Sequence, residues 1–312
     1  MTSYAIVGVG GVGGFYGIHL ARSGAEVHFL LRSAPRDAEV LQLQSPDGIF
    51  EVRDGRDCFL HHDWNDVPRV DVVLVAVKAT ANDAVVARVA ELVGPGGAVL
   101  LVQNGIYAEP RYAAALPEDV DVLGGLAFLA SHRAAPTRFV HVDYGALTIG
   151  RYQQGYRPAG SSPALQAIAA DLARSGVPVI TADDLLAARW QKLVWNIPFN
   201  GLSVLLQART DALMADPSSA ALARSLMAEV LAAAAADGRE LPPDLAEEML
   251  AVTRTMRSYA PSMLLDFAHG RPLELQAMYR APLRRAARAG GRMQRTAMLA
   301  DALEFLDARN RR

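Results

Sequence analysis

The sequence predicts an α/β chain with an N-terminal, mostly parallel sheet covered by helices on both faces and an all-α domain after it. Three observations lead there. Short, continuous apolar runs such as YAIV at residues 4–7 and VDVVLVAV at residues 70–77 alternate with helical patterns through the first half, as strands buried on both faces require. A glycine cluster follows the first of these runs directly. Past residues 177–183 the β pattern ends and nearly everything has helical character, including the alanine-rich stretch 220–236.

Taken in order, residues 4–7 form the first strand and residues 15–23 a helix that Gly24 stops. Residues 27–31 (VHFLL) are a second buried strand. The more polar stretch 41–68 holds Pro46-Asp47-Gly48 and Asp54-Gly55, turn signals that predict a hairpin excursion. A strand at 70–77, a helix at 82–93 and a strand at 98–102 (AVLLV) follow. Alternating segments between 133 and 150 predict antiparallel strands that extend the sheet. The domain boundary is placed near residue 180, giving domains 1–180 and 181–312, with Asp183 or Asp184 capping the first helix of the second. Pro242-Pro243-Asp244 marks a later helix start, and residues 282–288 are helical again.

Composition narrows the function classes. At 312 residues the chain exceeds one ordinary domain, and 51% apolar against 21% charged residues is enough to bury sizeable cores. Thirty-one Lys+Arg against 33 Asp+Glu leave a formal net charge of −2, so nucleic acid and anionic membrane surfaces are not expected partners. The single cysteine, Cys58, excludes an internal disulfide framework. The N-terminus lacks a basic leader and no uninterrupted apolar run reaches membrane-span length, so the expected location is cytoplasmic. The histidines show no metal-ligand spacing, and no metal is expected.

Gly8-Val9-Gly10-Gly11-Val12-Gly13 matches G-x-G-x-x-G between a predicted strand and a predicted helix. In a Rossmann-type domain the first glycine permits the turn, the second lets the backbone approach a pyrophosphate, and the third permits close helix–strand packing. A glycine-rich turn without ligand and a methyltransferase-type nucleotide loop are the competing readings. About 20 residues on, where an NAD-binding domain places an acid, the chain reads Leu30-Leu31-Arg32-Ser33. That slot predicts NADPH, with Arg32 on the 2′-phosphate and Ser33 assisting, against the alternative of a solvated arginine. Lys78 and Gln103-Asn104-Gly105 directly follow predicted strands, where ligands of open α/β sheets bind, so Lys78 and Asn104 are candidates to flank ribose and nicotinamide. The alternatives are a surface charge and an ordinary turn.

In the second domain, Lys192, Asn196 and Asn200 stand at i, i+4 and i+8 within the mostly apolar WQKLVWNIPFNG, which on a helix places them along one stripe. Pro198 is expected to kink that helix. A lysine among Trp195, Ile197 and Phe199 has its pKa pushed down by desolvation, toward the range useful for acid–base work. The other reading is a lysine that snorkels to water and asparagines that satisfy helix ends.

At this point the chain resembles the ketopantoate reductases (2-dehydropantoate 2-reductases) over nearly its whole length. The matching elements come in family order: GVGGVGGFYG, Arg32, VAVKA with Lys78, QNG at 103–105, Gly124-Gly125, WQKLVWNIPFN and PSMLLDFAHGRPLE. The resemblance implies a Rossmann domain, a C-terminal domain like that of 6-phosphogluconate dehydrogenase, and an active site in the cleft between them. It also implies that Lys192 is the catalytic lysine and Glu274 the active-site glutamate, with Asn196, Asn200 and Ser262 at substrate-binding positions; Asn104, from its place after the strand, is a further candidate for substrate as well as cofactor. The implied reaction is NADPH-dependent reduction of a 2-oxo acid, in which an ammonium stabilises and protonates the carbonyl oxygen. A homodimer is compatible with it.

The chain also departs from the family pattern. After Glu274 it reads Leu275-Gln276-Ala277-Met278, Tyr259 stands three residues before Ser262, and Phe128-Leu129 follows Gly124-Gly125 in place of a more polar stretch. These changes keep open a reductase of another 2-oxo acid or ketone. A third reading, a non-catalytic NADPH sensor, has no use for Lys192 or Glu274.

Overall fold

The computed structural model describes residues 1–311. The chain divides into two compact units, residues 1–103 with 108–185, and residues 104–107 with the chain from 186 onward.

The strands are β1 (Ser3–Val7), β2 (Glu26–Leu30), β3 (Val40–Ser45), β4 (Gly48–Arg53), β5 (Phe59–His61), β6 (Val70–Val75), β7 (Val93–Val102), β8 (Asp121–Ala135), β9 (Arg138–Arg151) and β10 (Val179–Ala182). They form one sheet in the order β4-β3-β9-β8-β7-β6-β1-β2-β5, with β10 added beside β9. From β5 through β2, β1, β6 and β7 to β8 every pairing is parallel. β9 turns antiparallel on β8, and β3 and β4 form the expected hairpin at the edge. The chain builds outward from β1 on one side through β2 and on the other through β6. The strand order therefore reverses between β1 and β6, where such sheets open a crevice at their carboxyl ends.

Side-chain alternation along β1 shows why its apolar run is continuous. Tyr4 and Ile6 enter a core with Phe15, Ile18 and Leu20 of α1 (Gly11–Arg22). Ala5 and Val7 face the opposite way, into a core with Val89 and Leu92 of α2 (Asn82–Leu92) and Tyr112 of α3 (Glu109–Ala113). A second helix, α4 (Pro163–Arg174), packs Leu165, Ile168 and Leu172 on the first of these faces. Ser162 caps it by accepting from the Leu165 N–H at 3.2 Å.

Several local expectations need correction. α1 starts inside the glycine cluster, at Gly11, and not at Phe15. Val93 opens β7 together with the glycine-rich residues after it and does not end a helix. β8 begins at Asp121, well before the alternating stretch that announced it, because its first residues pair in parallel with Ala98–Val102 of β7.

The second unit holds most of α5 (Leu185–Leu206), then α6 (Thr210–Ala215), α7 (Pro217–Ala236), α8 (Leu245–Thr255), α9 (Ser262–Ala268), α10 (Ala281–Arg288) and α11 (Gln294–Asn310). α5 runs on through Pro198 without interruption. It buries Trp190, Leu193, Val194, Ile197 and Phe199. Trp190 Nε1 donates to Asp237 Oδ2 at 2.8 Å, and Arg285 pairs with the same carboxylate, tying α5 and α10 to the end of α7. α7 is long and apolar enough to cross a membrane, at a mean hydropathy of 1.3. Its charges are engaged within the unit, however: Arg224 pairs with Glu247, and Glu229 accepts from the Thr296 N–H and hydroxyl at 2.9 and 3.0 Å.

Candidate functional site

The glycine loop leaves β1 at Gly8, whose φ of +95° lies in the left-handed region. A Cβ there would come within 2.5 Å of the Val77 nitrogen, because the end of β6 passes directly against the loop. A Cβ on Gly13 would collide with the Gly8 carbonyl oxygen, so the third glycine lets α1 sit close on β1. Gly10 is different. Its φ of −101° suits any residue, and no protein atom lies within 4 Å of where its Cβ would be. The fold itself does not require glycine at position 10, and the backbone there is open to a group from outside. The first-turn N–H groups of Gly11, Val12 and Gly13 have no acceptor inside their own helix, and they offer hydrogen bonds to an anion there. The residues present fit the pyrophosphate of a dinucleotide.

The other cofactor candidates follow strand ends of the same unit. Arg32 is exposed just beyond β2. The next residue, Ser33, accepts from Arg133 Nη1 at 2.8 Å. Lys78 is exposed just beyond β6. The backbone leading to it is held by a buried amide pair that sequence reasoning missed. Gln103 and Asn82 exchange hydrogen bonds of 2.7 and 3.1 Å, Gln103 Nε2 also donates to the Val77 carbonyl at 2.9 Å, and the Tyr112 hydroxyl donates to Asn82 Oδ1 at 3.0 Å. Gln103 stood in plain view in the QNG motif, but its partner on α2 had no signal of its own.

In the second unit, Lys192, Asn196 and Asn200 all lie on α5, as their spacing implied. Burial and, to a lesser extent, the nearby Arg189 guanidinium push the Lys192 ammonium down to about 7, with the Glu274 carboxylate opposing both. Arg189, 2% exposed, is a charged neighbour that the sequence pattern did not single out. Its only clue was a second cation on the apolar helix three residues before the lysine. Glu274 is likewise 2% exposed. It stands two residues before a π-helical turn, Gln276–Arg280, which no pattern announced. The turn sends the Ala277 carbonyl to the Ile106 N–H at 3.1 Å. A Cβ on Gly105 would collide with the same carbonyl, so the QNG glycine is what lets residues 104–107 settle on the helical unit. Beside them Asn196 Nδ2 donates a long hydrogen bond to Asn104 Oδ1, 3.4 Å.

Asn200 Oδ1 accepts from the Met263 N–H at 3.1 Å, satisfying a first-turn donor of α9, and from Ser262 Oγ at 3.4 Å. The asparagine thus serves a helix end with its oxygen, while its amide nitrogen donates to no described residue.

Family models match both parts of the chain. Residues 4–154 match the model described as ketopantoate reductase PanE/ApbA, and residues 184–307 match its C-terminal counterpart. The chain belongs to the ketopantoate reductase family. A Nostoc protein named 2-dehydropantoate 2-reductase is 40% identical over 310 residues, spanning 99% of this chain and 96% of its own. A 2-dehydropantoate 2-reductase of known structure from Geobacter metallireducens superposes with a TM-score of 0.89 at 36% identity, covering 97% of this chain and 99% of that one. Another, from Methylococcus capsulatus, gives 0.88 at 30%, covering 99% and 98%.

Within this family member, the structure thus groups Gly8, Gly10, Gly11, Val12 and Gly13 with the segment leading to Lys78. It joins Arg133 to Ser33, the residue after Arg32. It brings Lys192 under the electrostatic influence of Glu274, and joins Asn196 to Asn104 and Asn200 to Ser262.

Proposed function

We propose that the chain reduces 2-dehydropantoate to pantoate with NADPH, a step of pantothenate and coenzyme A synthesis, in a reducing cytoplasmic setting. The observation that carries this reading is the Lys192 ammonium, held near neutral pH beside Glu274 in a chain of this family. A reduced nicotinamide, when bound, supplies a hydride to the carbonyl carbon of the substrate. Lys192 Nζ then gives its proton to the oxygen, so that the C=O becomes a CH–OH and the lysine is left as the neutral amine. Glu274 keeps the ammonium populated at neutral pH, since its negative charge favours the protonated lysine. The amide of Asn196, the amide nitrogen of Asn200 and the Ser262 hydroxyl bind the substrate carboxylate and hydroxyl groups without adding charge.

A panel of 2-oxo acids followed by NADPH absorbance tests the reading, with the highest kcat/KM expected for 2-dehydropantoate. A specific observation favours a second reading on the same chemistry. Trp195 stacks on Phe199 with centroids 4.9 Å apart, and Tyr259 lies 6.3 Å from Trp195. Trp195 and Phe199 stand on the helix that carries Asn196 and, with Tyr259, supply apolar surface for a bulkier 2-oxo acid if the pocket extends to them; such a compound leading the panel would displace 2-dehydropantoate as the substrate.

The lysine fixes the pH profile. As general acid it works protonated, so kcat/KM is expected to fall as pH rises through about 7, the pKa to which burial has lowered it. Glu274→Gln removes the charge that raises this pKa, and the falling limb is expected at lower pH than in the wild type. An unmoved limb in the variant separates Glu274 from Lys192.

Arg32 carries the preference for NADPH in this reading. Arg32→Ala is expected to weaken NADPH binding by about 10- to 150-fold, the loss of one charged hydrogen bond of about 1.5 to 3 kcal/mol, with NADH unaffected. Unchanged NADPH/NADH discrimination in a binding titration takes Arg32 out of the site.

A further inference from the structure

β8 and β9 are far longer than the parallel strands they join. β8 pairs with β7 only over Asp121–Gly125, and the remainder, to Ala135, runs on past the carboxyl edge of the parallel sheet with β9 as its sole ladder partner among the described residues. The overhanging hairpin comes down on the glycine loop. A Cβ on Gly11 would lie 2.7 Å from the Ser131 carbonyl oxygen and 2.8 Å from His132 Cα, so the second member of the Gly10-Gly11 pair is glycine to admit this strand. Ser131 Oγ fastens the contact by donating to the Gly11 carbonyl at 3.0 Å.

The register between Ser131 and Arg133 is regular: Ser131 opposes His141, His132 opposes Val140 and Arg133 opposes Phe139. Ser131 and Arg133 therefore project from the same face of β8. With Ser131 on the glycine loop, Arg133 reaches the loop after β2, where its Nη1 donates to Ser33 Oγ at 2.8 Å across a hundred residues of sequence. Arg32 and Arg133 are both exposed, and neither makes an ion pair with a described residue. A serine oxygen that accepts from Arg133 still has its own O–H to donate. Arg133 thus brings a guanidinium to the Ser33 hydroxyl, and the exposed residue before that serine is a second arginine; two guanidinium groups and one hydroxyl donor are a set that suits a dianionic phosphomonoester, which arginine binds through paired N–H···O contacts.

We propose that Arg133 is the second cation of the 2′-phosphate site, positioned by Ser33 and acting with Arg32, so that the β8–β9 hairpin helps select a 2′-phosphorylated dinucleotide. The inference rests on the NADPH reading above and assigns part of that selectivity to a strand remote in sequence from the β2 loop.

The test is calorimetric titration of the full-length protein with NADPH, NADH, 2′,5′-ADP and 5′-AMP, in the wild type and in Arg133→Ala, Arg133→Lys and Ser33→Ala. Arg133→Ala is expected to weaken NADPH and 2′,5′-ADP by about 10- to 100-fold, the loss of one charge-assisted contact, and to leave NADH and 5′-AMP unchanged. Arg133→Lys is expected to recover part of the loss, and Ser33→Ala to produce a smaller one. NADH affinity also reports whether each variant is folded. Equal weakening of NADPH and NADH makes Arg133 a support for the glycine loop and overturns the inference; so does no weakening of either. A wild type that favours NADPH while Arg133→Ala keeps the whole preference overturns the inference alone. A wild type that binds the two cofactors equally overturns the NADPH reading, and this assignment with it.

Discussion

Lys192→Ala is expected to lower kcat by about 10² to 10⁴, the usual contribution of a positioned general acid, while NADPH affinity stays at the wild-type value. The size follows from what the carbonyl oxygen lacks in the variant. Hydride arrival puts negative charge on that oxygen, and the variant lacks the ammonium that would receive it and supply its proton. The same substitution separates a working lysine from one kept for stability. Because the folded protein lowers the pKa from 10.5 to about 7, the unfolded chain binds more protons between those values, and stability attributable to this residue rises with pH across that window. At neutral pH and below, the buried ammonium is a cost to the fold. Lys192→Met is therefore expected to keep or raise the Tm while losing turnover, the pattern of a residue kept for function at the expense of stability. A variant with lowered Tm and wild-type kcat would make Lys192 structural.

The second large effect is expected at Gly10. Gly10→Val places its Cβ where no protein atom lies within 4 Å, so the fold is expected to accept it with little change in Tm. In the proposed binding mode the space it fills is that of the pyrophosphate. Losing two backbone-to-phosphate hydrogen bonds, at about 1.5 to 3 kcal/mol each for a charged acceptor, weakens dinucleotide binding by about 10² to 10⁴. NADPH and NADH should suffer alike, because the pyrophosphate is common to both. Binding close to wild type would place the dinucleotide elsewhere. Gly13→Val makes a useful contrast. Its Cβ collides with the Gly8 carbonyl, so there the loss is expected in stability as well.

The parallel sheet was legible because each central strand is apolar on both faces: residues alternating along β1 enter two different cores, and that leaves a continuous run in the sequence. The stripe on α5 was legible because Lys192, Asn196 and Asn200 interrupt an otherwise apolar helix at a single helical spacing. What stayed hidden depends on partners distant in sequence. The π turn at Gln276–Arg280 is held in part by the Ile106 N–H, more than a hundred residues away, and nothing local in QAMYR distinguishes it from an α-turn. Helix α5 continues past Pro198, with the Tyr279 hydroxyl donating to the Ile197 carbonyl at 2.9 Å beside the proline, a partner that lies 82 residues away in sequence. Gly201 makes room for that hydroxyl, since a Cβ there would approach it to 2.6 Å. Asn200 read equally well as a ligand-binding residue and as a helix cap; the contact with Met263 gives it the second role without removing its amide nitrogen from the first. Arg133 could not be found at all, because its significance lies in where the β8–β9 overhang lands and not in the residues beside it.

A crystal structure of the protein with NADP⁺ and pantoate reads the chemistry at its reacting atoms. Lys192 Nζ is expected within about 2.6 to 3.2 Å of the C2 oxygen of pantoate, the reach of a proton in transfer, with Glu274 close enough to hold the ammonium's charge. A C2 oxygen bound by another donor, with Lys192 Nζ turned to water, would contradict the mechanism.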